Sequence, residues 1–143
     1  MKRSVILLVD DNPDDEALTL RAFRRTNAAN EFVVARDGVE ALAYLLGAEG
    51  GPAPGELPRL VLLDLNIPRI DGLEVLNRIR SEQRTRTIPV VVLTSSSERR
   101  DIVRSYELGA NSYVRKPVDF AAFVEAARLL GEYWLGLNEQ VPE

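Results

Sequence analysis

Four short apolar runs in this chain each end at polar residues. The runs and the polar residues behind them are 5–9 before Asp10 and Asp11, 60–63 before Asp64, 90–93 before Thr94, and 113–114 shortly before Lys116. Aliphatic runs closed by a polar stop are typical of strands buried on both faces of a parallel sheet. Open parallel sheets carry their sites at the carboxyl ends of the strands. The pattern therefore predicts three carboxylates, a hydroxyl and an ammonium at one sheet edge.

Helical patterns separate these runs, so strands and helices alternate along the chain. We predict strands at about residues 4–9, 31–35, 59–64, 88–93 and 111–114, each followed by a helix. The helices are predicted at about residues 13–27, 38–46, 72–81, 98–108 and 120–134. Because such crossovers are right-handed, the expected fold is α/β, a single doubly wound five-stranded parallel sheet with five helices in the flavodoxin-like order 2-1-3-4-5.

Local signals set the expected helix ends and buried faces. Asn12, Asp37 and Asp119 are predicted N-caps, and Gly109 is the predicted end of the fourth helix. We expect the second and fourth helices to turn these residues inward: Val39, Leu42, Ala43 and Leu46, and Ile102, Val103 and Tyr106. The Gly- and Pro-rich stretch 47–58 is predicted to be a loop inside one domain.

Composition narrows the chemistry of the predicted edge. The 143 residues suit one domain and include no cysteine and no histidine. Disulfides, thiolate or imidazole metal sites, cysteine nucleophiles and serine–histidine triads are therefore excluded. Any metal at this edge must be a hard cation bound by oxygen, for which magnesium or manganese fits best.

Charge and hydropathy argue against two classes of partner. The net charge is -4, with acidic and basic residues mixed and no basic stripe for nucleic acid. No apolar run approaches the length of a membrane span. The first apolar run ends at Asp10, which favours a strand over a signal peptide. We therefore expect a cytoplasmic protein that binds neither nucleic acid nor membrane.

The carboxylates at the predicted edge need a cation. Like charges at about 4 Å repel by roughly 4 kcal/mol at an effective dielectric near 20. Mg2+ would relieve this repulsion and attract a phosphoryl oxygen. Asp11 and Asp64 are candidate direct ligands, Asp10 a ligand through water, and a backbone carbonyl near Asn66 could complete the shell.

The same edge can handle a phosphoryl group. An aspartate can attack phosphorus and form an acyl phosphate, and Asp64, on the central strand, is the best candidate. Lys116 would neutralise phosphoryl oxygens, and the Thr94 hydroxyl would donate to another. Of 18 basic residues, 16 are Arg, so a lysine at the predicted site is a specific choice.

These motifs together closely resemble the receiver domain of bacterial two-component response regulators. They are Leu8 to Asn12, Leu62 to Pro68 with Asp71 and Gly72, Pro89 to Thr94, and Gly109 to Pro117. The resemblance covers about residues 4–130. It implies a receiver domain at 1–130, with residues 131–143 a helix extension and tail of the same domain.

By this resemblance each site residue has an expected role. Asp64 is the acceptor of a phosphoryl group from a histidine kinase, and Thr94 and Lys116 assist it. Asp10, Asp11, Asp64 and the Asn66 carbonyl hold Mg2+, and Thr94 and Tyr113 form the switch. Such a protein is a phosphorelay acceptor rather than an enzyme, and assists only its own phosphorylation and dephosphorylation.

A narrower resemblance points to stand-alone regulators that accompany bacterial phytochrome-type kinases. It is carried by Asp11 to Pro13, the 47–58 loop, and Glu132 to Leu135. It implies a phytochrome-type histidine kinase as partner and a homodimer. The sequence runs only about nine residues past Trp134, so we expect output through a conformational or dimer-surface change.

The bulky residues at the end of the last helix leave two interpretations open. Tyr133, Trp134, Leu135 and Leu137 either fold back on the core or form a dimer contact. We predict a dimer through the face of residues 98–137.

Three other functions fit the sequence less well. A haloacid dehalogenase-type phosphatase needs an Asp-x-Asp pair on the first strand, and a flavin carrier needs a phosphate loop where Asp10 and Asp11 stand. A phosphorylation-independent protein-binding pseudo-receiver is the remaining alternative, and the complete set of site residues argues against it.

Overall fold

Five parallel strands and five helices alternate in a computed structural model that describes residues 5–26, 30–47 and 57–142. The strands are β1 (Val5–Val9), β2 (Glu31–Ala35), β3 (Leu60–Leu63), β4 (Val90–Thr94) and β5 (Ser112–Arg115). The helices are α1 (Pro13–Thr26), α2 (Gly38–Leu46), α3 (Gly72–Ser81), α4 (Arg99–Glu107) and α5 (Phe120–Gly131). A π-helical turn, Glu132–Leu137, continues α5 and is called the π-segment below.

The sheet has the order β2-β1-β3-β4-β5, and every pairing is parallel, which confirms the predicted fold. Val9 pairs with Ala35 on one side and with Leu63 on the other, so the ends of the three strands are level. The residues that directly follow β1 and β3, Asp10 and Asp64, therefore lie side by side.

The strands supply a core to each face of the sheet. Alternate side chains point to opposite faces, so Leu7 and Val9 pack with α2 and α3, while Ile6 and Leu8 pack with α1 and α5. All four residues of β3 and all five of β4 are buried. Such two-sided burial explains the uninterrupted apolar runs.

Strand β4 begins two residues later than predicted. The Ile88 N–H donates to the Thr85 carbonyl in a turn, and Pro89 has no N–H to give to a ladder.

Residues 48–56 of the predicted 47–58 loop and residue 27 at the predicted end of the first helix lie outside the described residues.

The predicted inward faces of two helices were right only in part: Leu46 packs against the core on α2, and Ile102 is partly buried on α4. In α2 the buried residues are Gly38, Ala41, Leu42 and Leu45, so of the predicted set only Leu42 is buried. In α4 only Ser105 is buried, whereas Val103 is 45% and Tyr106 49% exposed. Ile102 is partly buried, as predicted, so the inward side of this short helix runs through Ile102 and Ser105 rather than through Val103 and Tyr106.

The predicted helix caps are confirmed. The Asn12 side chain accepts from the backbone N–H groups of Asp14 and Asp15, and Asp37 and Asp119 accept in the same way at α2 and α5. Gly109 has a φ of 101°, which glycine adopts without strain. The bonds Gly109 N–H to Tyr106 O and Ala110 N–H to Ser105 O close α4 as a Schellman motif.

The π-segment is partly folded onto the core. Trp134 and Leu135 pack against the α1 and α5 face of the sheet, and the Arg59 guanidinium donates to the Leu135 carbonyl at 3.2 Å. Tyr133 and Leu137 remain 47% and 78% exposed. The turn thus both packs inward and presents apolar surface. Among the described helices, none is long and apolar enough to cross a membrane.

Candidate functional site

The ends of β1 and β3 place two carboxylates at one edge of the sheet. The Asp10 N–H donates to the Ala35 carbonyl, and the Asp64 N–H donates to the Val9 carbonyl, so both backbones remain in the ladder. Asp10 is 1% exposed and Asp64 7% exposed. Buried charges of this kind require a partner.

Lys116, just after β5, supplies that partner. Its Nζ donates to Asp10 Oδ2 at 2.8 Å, Asp64 Oδ2 at 2.9 Å and Asp15 Oδ2 at 3.0 Å. The lysine side chain is 7% exposed. Its backbone N–H donates to the Thr94 carbonyl at 2.7 Å, which fixes it beside β4.

Asp15 is a member of this cluster that the sequence did not identify. From the sequence, Asp15 is only one of the acidic residues that suit the first turn of α1, where the Asn12 side chain accepts from its N–H. The structure turns its carboxylate toward Lys116. The available signal was its spacing. Asp15 follows Asp10 by five residues, and the Asn12 cap between them turns the chain back over the end of β1.

Both oxygens of the Asp64 carboxylate are hydrogen-bonded. Oδ1 accepts from the Thr94 hydroxyl at 2.9 Å and from the Asn66 N–H at 3.2 Å, while Oδ2 accepts from Lys116. Thr94 is fully buried at the end of β4. The hydroxyl and the ammonium therefore flank Asp64 from two neighbouring strands.

Burial and charge shift the pKa values of the two innermost groups. Burial raises the pKa of Asp10, and the hydrogen bonds from Lys116 and from the Asn12 N–H reduce that rise without cancelling it. Burial alone would lower the pKa of Lys116, but the bonds and charges of Asp10 and Asp64 outweigh it and raise this pKa. Lys116 is therefore a fixed positive charge.

A hydrogen-bonded chain leads from Thr94 to α4 and β5. The Ser96 N–H points to Thr94 Oγ1 at 3.4 Å, and Ser96 Oγ donates to Asp101 Oδ2 in the first turn of α4 at 2.6 Å. The Tyr113 hydroxyl donates to the Ser96 carbonyl at 2.9 Å, and burial raises the pKa of Tyr113. Ser96 thus joins Thr94, Asp101 and Tyr113.

Two of the predicted site residues lie at the rim. Asp11 is exposed, and its carboxylate is not among the acidic groups that converge in the described part of the chain. Asn66 is also exposed and contacts Asp64 through its backbone N–H. The structure brings together Asp10, Asp64, Thr94 and Lys116 and adds Asp15.

The donor set at this edge fits a hard divalent cation. Asp10, Asp15 and Asp64 each offer a carboxylate oxygen, and these atoms lie within 4.8 Å of one another. Three carboxylates against one ammonium leave an excess of two negative charges, which one Mg2+ would neutralise. All donors are oxygens, as Mg2+ and Mn2+ prefer.

Comparison with known proteins also points to a receiver domain. The model of the response regulator receiver domain family matches residues 6–128. The probable methanogenesis regulatory protein FilR2 of Methanothrix harundinacea is 46% identical over 134 residues, which are 94% of this chain and 85% of that protein. Response regulator Rcp1 of Synechocystis sp. is 37% identical over 131 residues, which are 92% of this chain and 88% of that protein.

Solved structures agree over nearly the whole chain. The phosphorylated cyanobacterial phytochrome response regulator RcpA has a TM-score of 0.89 at 36% identity, covering 99% of this chain and 100% of that one. A Mn(2+)-bound form of Rcp1 has a TM-score of 0.85 at 34% identity, covering 97% and 99%. With the strand order, the acidic edge and the family match in agreement, this chain belongs to the response regulator receiver domain family of two-component signalling proteins.

Proposed function

We propose that Asp64 accepts a phosphoryl group from a histidine kinase and that Mg2+ is required. The observation that carries this proposal is the surrounding of Asp64, which has the Thr94 hydroxyl on one oxygen and the Lys116 ammonium on the other. The Thr94 hydroxyl can pass from the carboxylate to an oxygen of a phosphoryl group bound to it, and the Lys116 ammonium lies beside the same oxygens. Phosphoryl transfer depends mainly on such positioning and charge neutralisation.

Phosphoryl transfer to Asp64 requires no proton to be added to or removed from its ionised carboxylate. One Asp64 carboxylate oxygen forms a new bond to phosphorus, and the bond between phosphorus and the donor's nitrogen or oxygen breaks. The electron pair of the broken bond leaves with the donor. The product is an acyl phosphate, whose three outer oxygens carry the negative charge that Lys116 faces.

Mg2+ would neutralise the acidic edge and draw the phosphoryl oxygens in. We propose Asp10, Asp11, Asp64 and the Asn66 carbonyl as its ligands, as the family resemblance implies. The excess negative charge of the buried cluster supports a divalent cation here. That Rcp1 is known in a Mn(2+)-bound form supports the same cation class.

The test uses beryllofluoride, a phosphoryl mimic, and acetyl phosphate with Mg2+. The wild type is expected to bind the mimic, seen by NMR shifts, and to form an acyl phosphate, seen by intact mass. Asp64→Asn should lose both. Asp14→Asn makes the same chemical change on an exposed residue and should keep both. Equal behaviour of wild type and Asp64→Asn would instead favour the phosphorylation-independent pseudo-receiver.

The proposed upstream partner is a phytochrome-type histidine kinase in the cytoplasm. RcpA is a phytochrome response regulator and matches this chain from end to end, which supports this partner class. Phosphotransfer from a purified phytochrome-type kinase, compared with transfer from an unrelated histidine kinase, tests this assignment.

The proposed output is a conformational or dimer-surface change on the face of residues 98–137. This face carries the exposed apolar residues Val103, Tyr106, Val118, Leu129, Tyr133 and Leu137. The bond chain from Thr94 through Ser96 to Asp101 ends at the first turn of α4, within this face. A change at Asp64 therefore has a bonded route to the proposed dimer surface.

A further inference from the structure

The ammonium of Lys116 has no spare donor. It carries three N–H groups, and each is used by a different carboxylate: Asp10, Asp15 and Asp64. A phosphoryl oxygen on Asp64 can gain a hydrogen bond from Lys116 only if one of these acceptors is given up. Which one is released affects how strongly the site binds a phosphoryl group.

Asp15 differs from the other two acceptors in its surroundings. Asp10 also accepts from the Asn12 N–H, and Asp64 also accepts from Thr94 and Asn66, so both are held at the sheet edge. The side chain of Asp15 is 39% exposed, compared with 1% for Asp10 and 10% for Asp64. Its bond to Lys116, at 3.0 Å, is also the longest of the three.

These differences make Asp15 the acceptor that is released at least cost. A carboxylate that turns from Lys116 into water exchanges one hydrogen bond for others, whereas a buried carboxylate would lose its partner outright. Asp15 lies in the first turn of α1, where the helix dipole stabilises its charge whether or not it contacts Lys116.

We propose that Asp15 is a positioning residue that occupies the third N–H of Lys116 in the resting site and yields it to a phosphoryl oxygen. Asp15 then competes with the phosphoryl group and sets the affinity of the site for it. This inference rests on the proposed function of Asp64. The covalent bonds that form and break are those of the phosphoryl transfer to Asp64. In addition, one hydrogen bond of Lys116 moves from Asp15 to a phosphoryl oxygen.

The experiment compares Asp15→Asn with Asp14→Asn in saturating Mg2+. The two variants remove the same charge from adjacent residues of one helix turn, but only Asp15 contacts Lys116. We expect Asp15→Asn to bind beryllofluoride about fivefold more tightly than Asp14→Asn, the size of one net hydrogen bond. Affinity is measured by NMR titration, and folding of each variant by urea unfolding.

Several outcomes would overturn the inference. Equal beryllofluoride affinity of the two variants would mean that Asp15 acts only through its charge. Weaker binding by Asp15→Asn would mean that Asp15 holds Lys116 in place for the phosphoryl group. A loss of Mg2+ affinity in Asp15→Asn far beyond that in Asp14→Asn, with no gain in beryllofluoride affinity, would make Asp15 a metal ligand. A change in unfolding midpoint alone would give it a merely structural role.

The same titrations separate this inference from the proposed function. If wild type binds beryllofluoride, Asp64→Asn does not, and the two first-turn variants match, then only the role of Asp15 is refuted. If wild type fails to bind beryllofluoride in Mg2+, both proposals are wrong. If Asp15→Asn unfolds, Asp15→Ser, which retains a good residue for a first helical turn, is compared with Asp14→Ser.

Discussion

Asp10 combines a charge with near-complete enclosure by protein. It lies between β2 and β3 at 1% exposure, and its backbone remains in the sheet. Its hydrogen bonds to Lys116 and to the Asn12 N–H do not fully offset the cost of removing its charge from water, because its pKa stays raised. The ionised form of Asp10 therefore costs folding stability.

We predict that Asp10→Asn stabilises the metal-free protein near neutral pH. One unit of pKa difference between the folded and unfolded states is worth about 1.4 kcal/mol. Because the folded pKa is raised above its ordinary 3.8, the cost of ionised Asp10 is present above the folded pKa and vanishes as pH falls below 3.8. The gain from Asp10→Asn should therefore shrink as pH is lowered, which urea unfolding at several pH values measures.

The matched control for this prediction is Glu139→Gln, which removes one charge from an exposed position. Its effect on the unfolding free energy should be small at every pH. A destabilisation by Asp10→Asn at neutral pH would show that the ion pair with Lys116 outweighs the burial of Asp10.

The strand-end residues could be predicted from the sequence because their position depends only on where a buried strand stops. Asp10, Asp64, Thr94 and Lys116 were all found in that way. Asp15 was missed because its contact depends on the angle at which α1 leaves the sheet edge. A first-turn acidic residue also has a sufficient local explanation in the helix dipole, so nothing in the sequence demanded a second role.

Two helices start unusually close to the segments that follow β3. A Cβ built on Gly38 would overlap the Ile70 carbonyl oxygen, and one built on Gly72 would overlap the Asp64 carbonyl oxygen and lie 2.6 Å from Leu65 Cα. The Gly72 N–H also donates to the Leu65 carbonyl at 3.0 Å. Glycine at the start of α3 therefore lets this helix lie against the backbone that carries Asp64.

We predict that Gly38→Ala and Gly72→Ala each destabilise the fold by about 1–3 kcal/mol, because backbone must move to admit a methyl group. Gly136→Ala is the matched control, since a Cβ there meets nothing within 4 Å. Alanine in the π-segment should be neutral or stabilising by up to about 1 kcal/mol. Chemical unfolding of the three variants measures this, and equal free energies would contradict the close approach.

Arg80 joins three elements at the opposite edge of the sheet from Asp64. Its guanidinium donates to the carbonyls of Gly109, Arg86 and Ile88 and to the Asn111 side chain, at 2.8 to 3.0 Å. Asn111 in turn accepts from the Val90 N–H at the start of β4. Sequence patterns give no sign of such a residue, because its partners are backbone oxygens of segments distant in the chain.

On the scale of the whole molecule, large apolar side chains remain exposed along the chain from α4 to the π-segment. The face of residues 98–137 carries Val103 and Tyr106 on α4 and Tyr133 and Leu137 on the π-segment. Alternation of elements was enough to predict a doubly wound parallel sheet, because parallel strands with right-handed crossovers allow few topologies, and the flavodoxin-like order is one of the common orders of such sheets. The outward face of α4 was not predictable from periodicity, since its apolar residues serve the surface rather than the core.

We predict a homodimer through this face. Val103→Glu should shift the protein toward monomer, because the substitution places a charge within the apolar contact. Val39→Glu is the control, with the same change on a similarly exposed valine of α2, 37% exposed compared with 45% for Val103. Light scattering at tens of micromolar, with and without beryllofluoride and Mg2+, measures the mass. A strict monomer in both states would refute the dimer.

Because α4 has a single buried side chain, most of its residues are free to change during evolution. Among the nine residues of this helix, only Ser105 is enclosed. Substitutions at exposed positions usually change stability by no more than about 0.5 kcal/mol. The exposed residues of α4 can therefore be replaced, and partner choice altered, while the buried residues around Asp64 stay unchanged. Related proteins that share this acidic edge can therefore differ in the partner proteins that they bind.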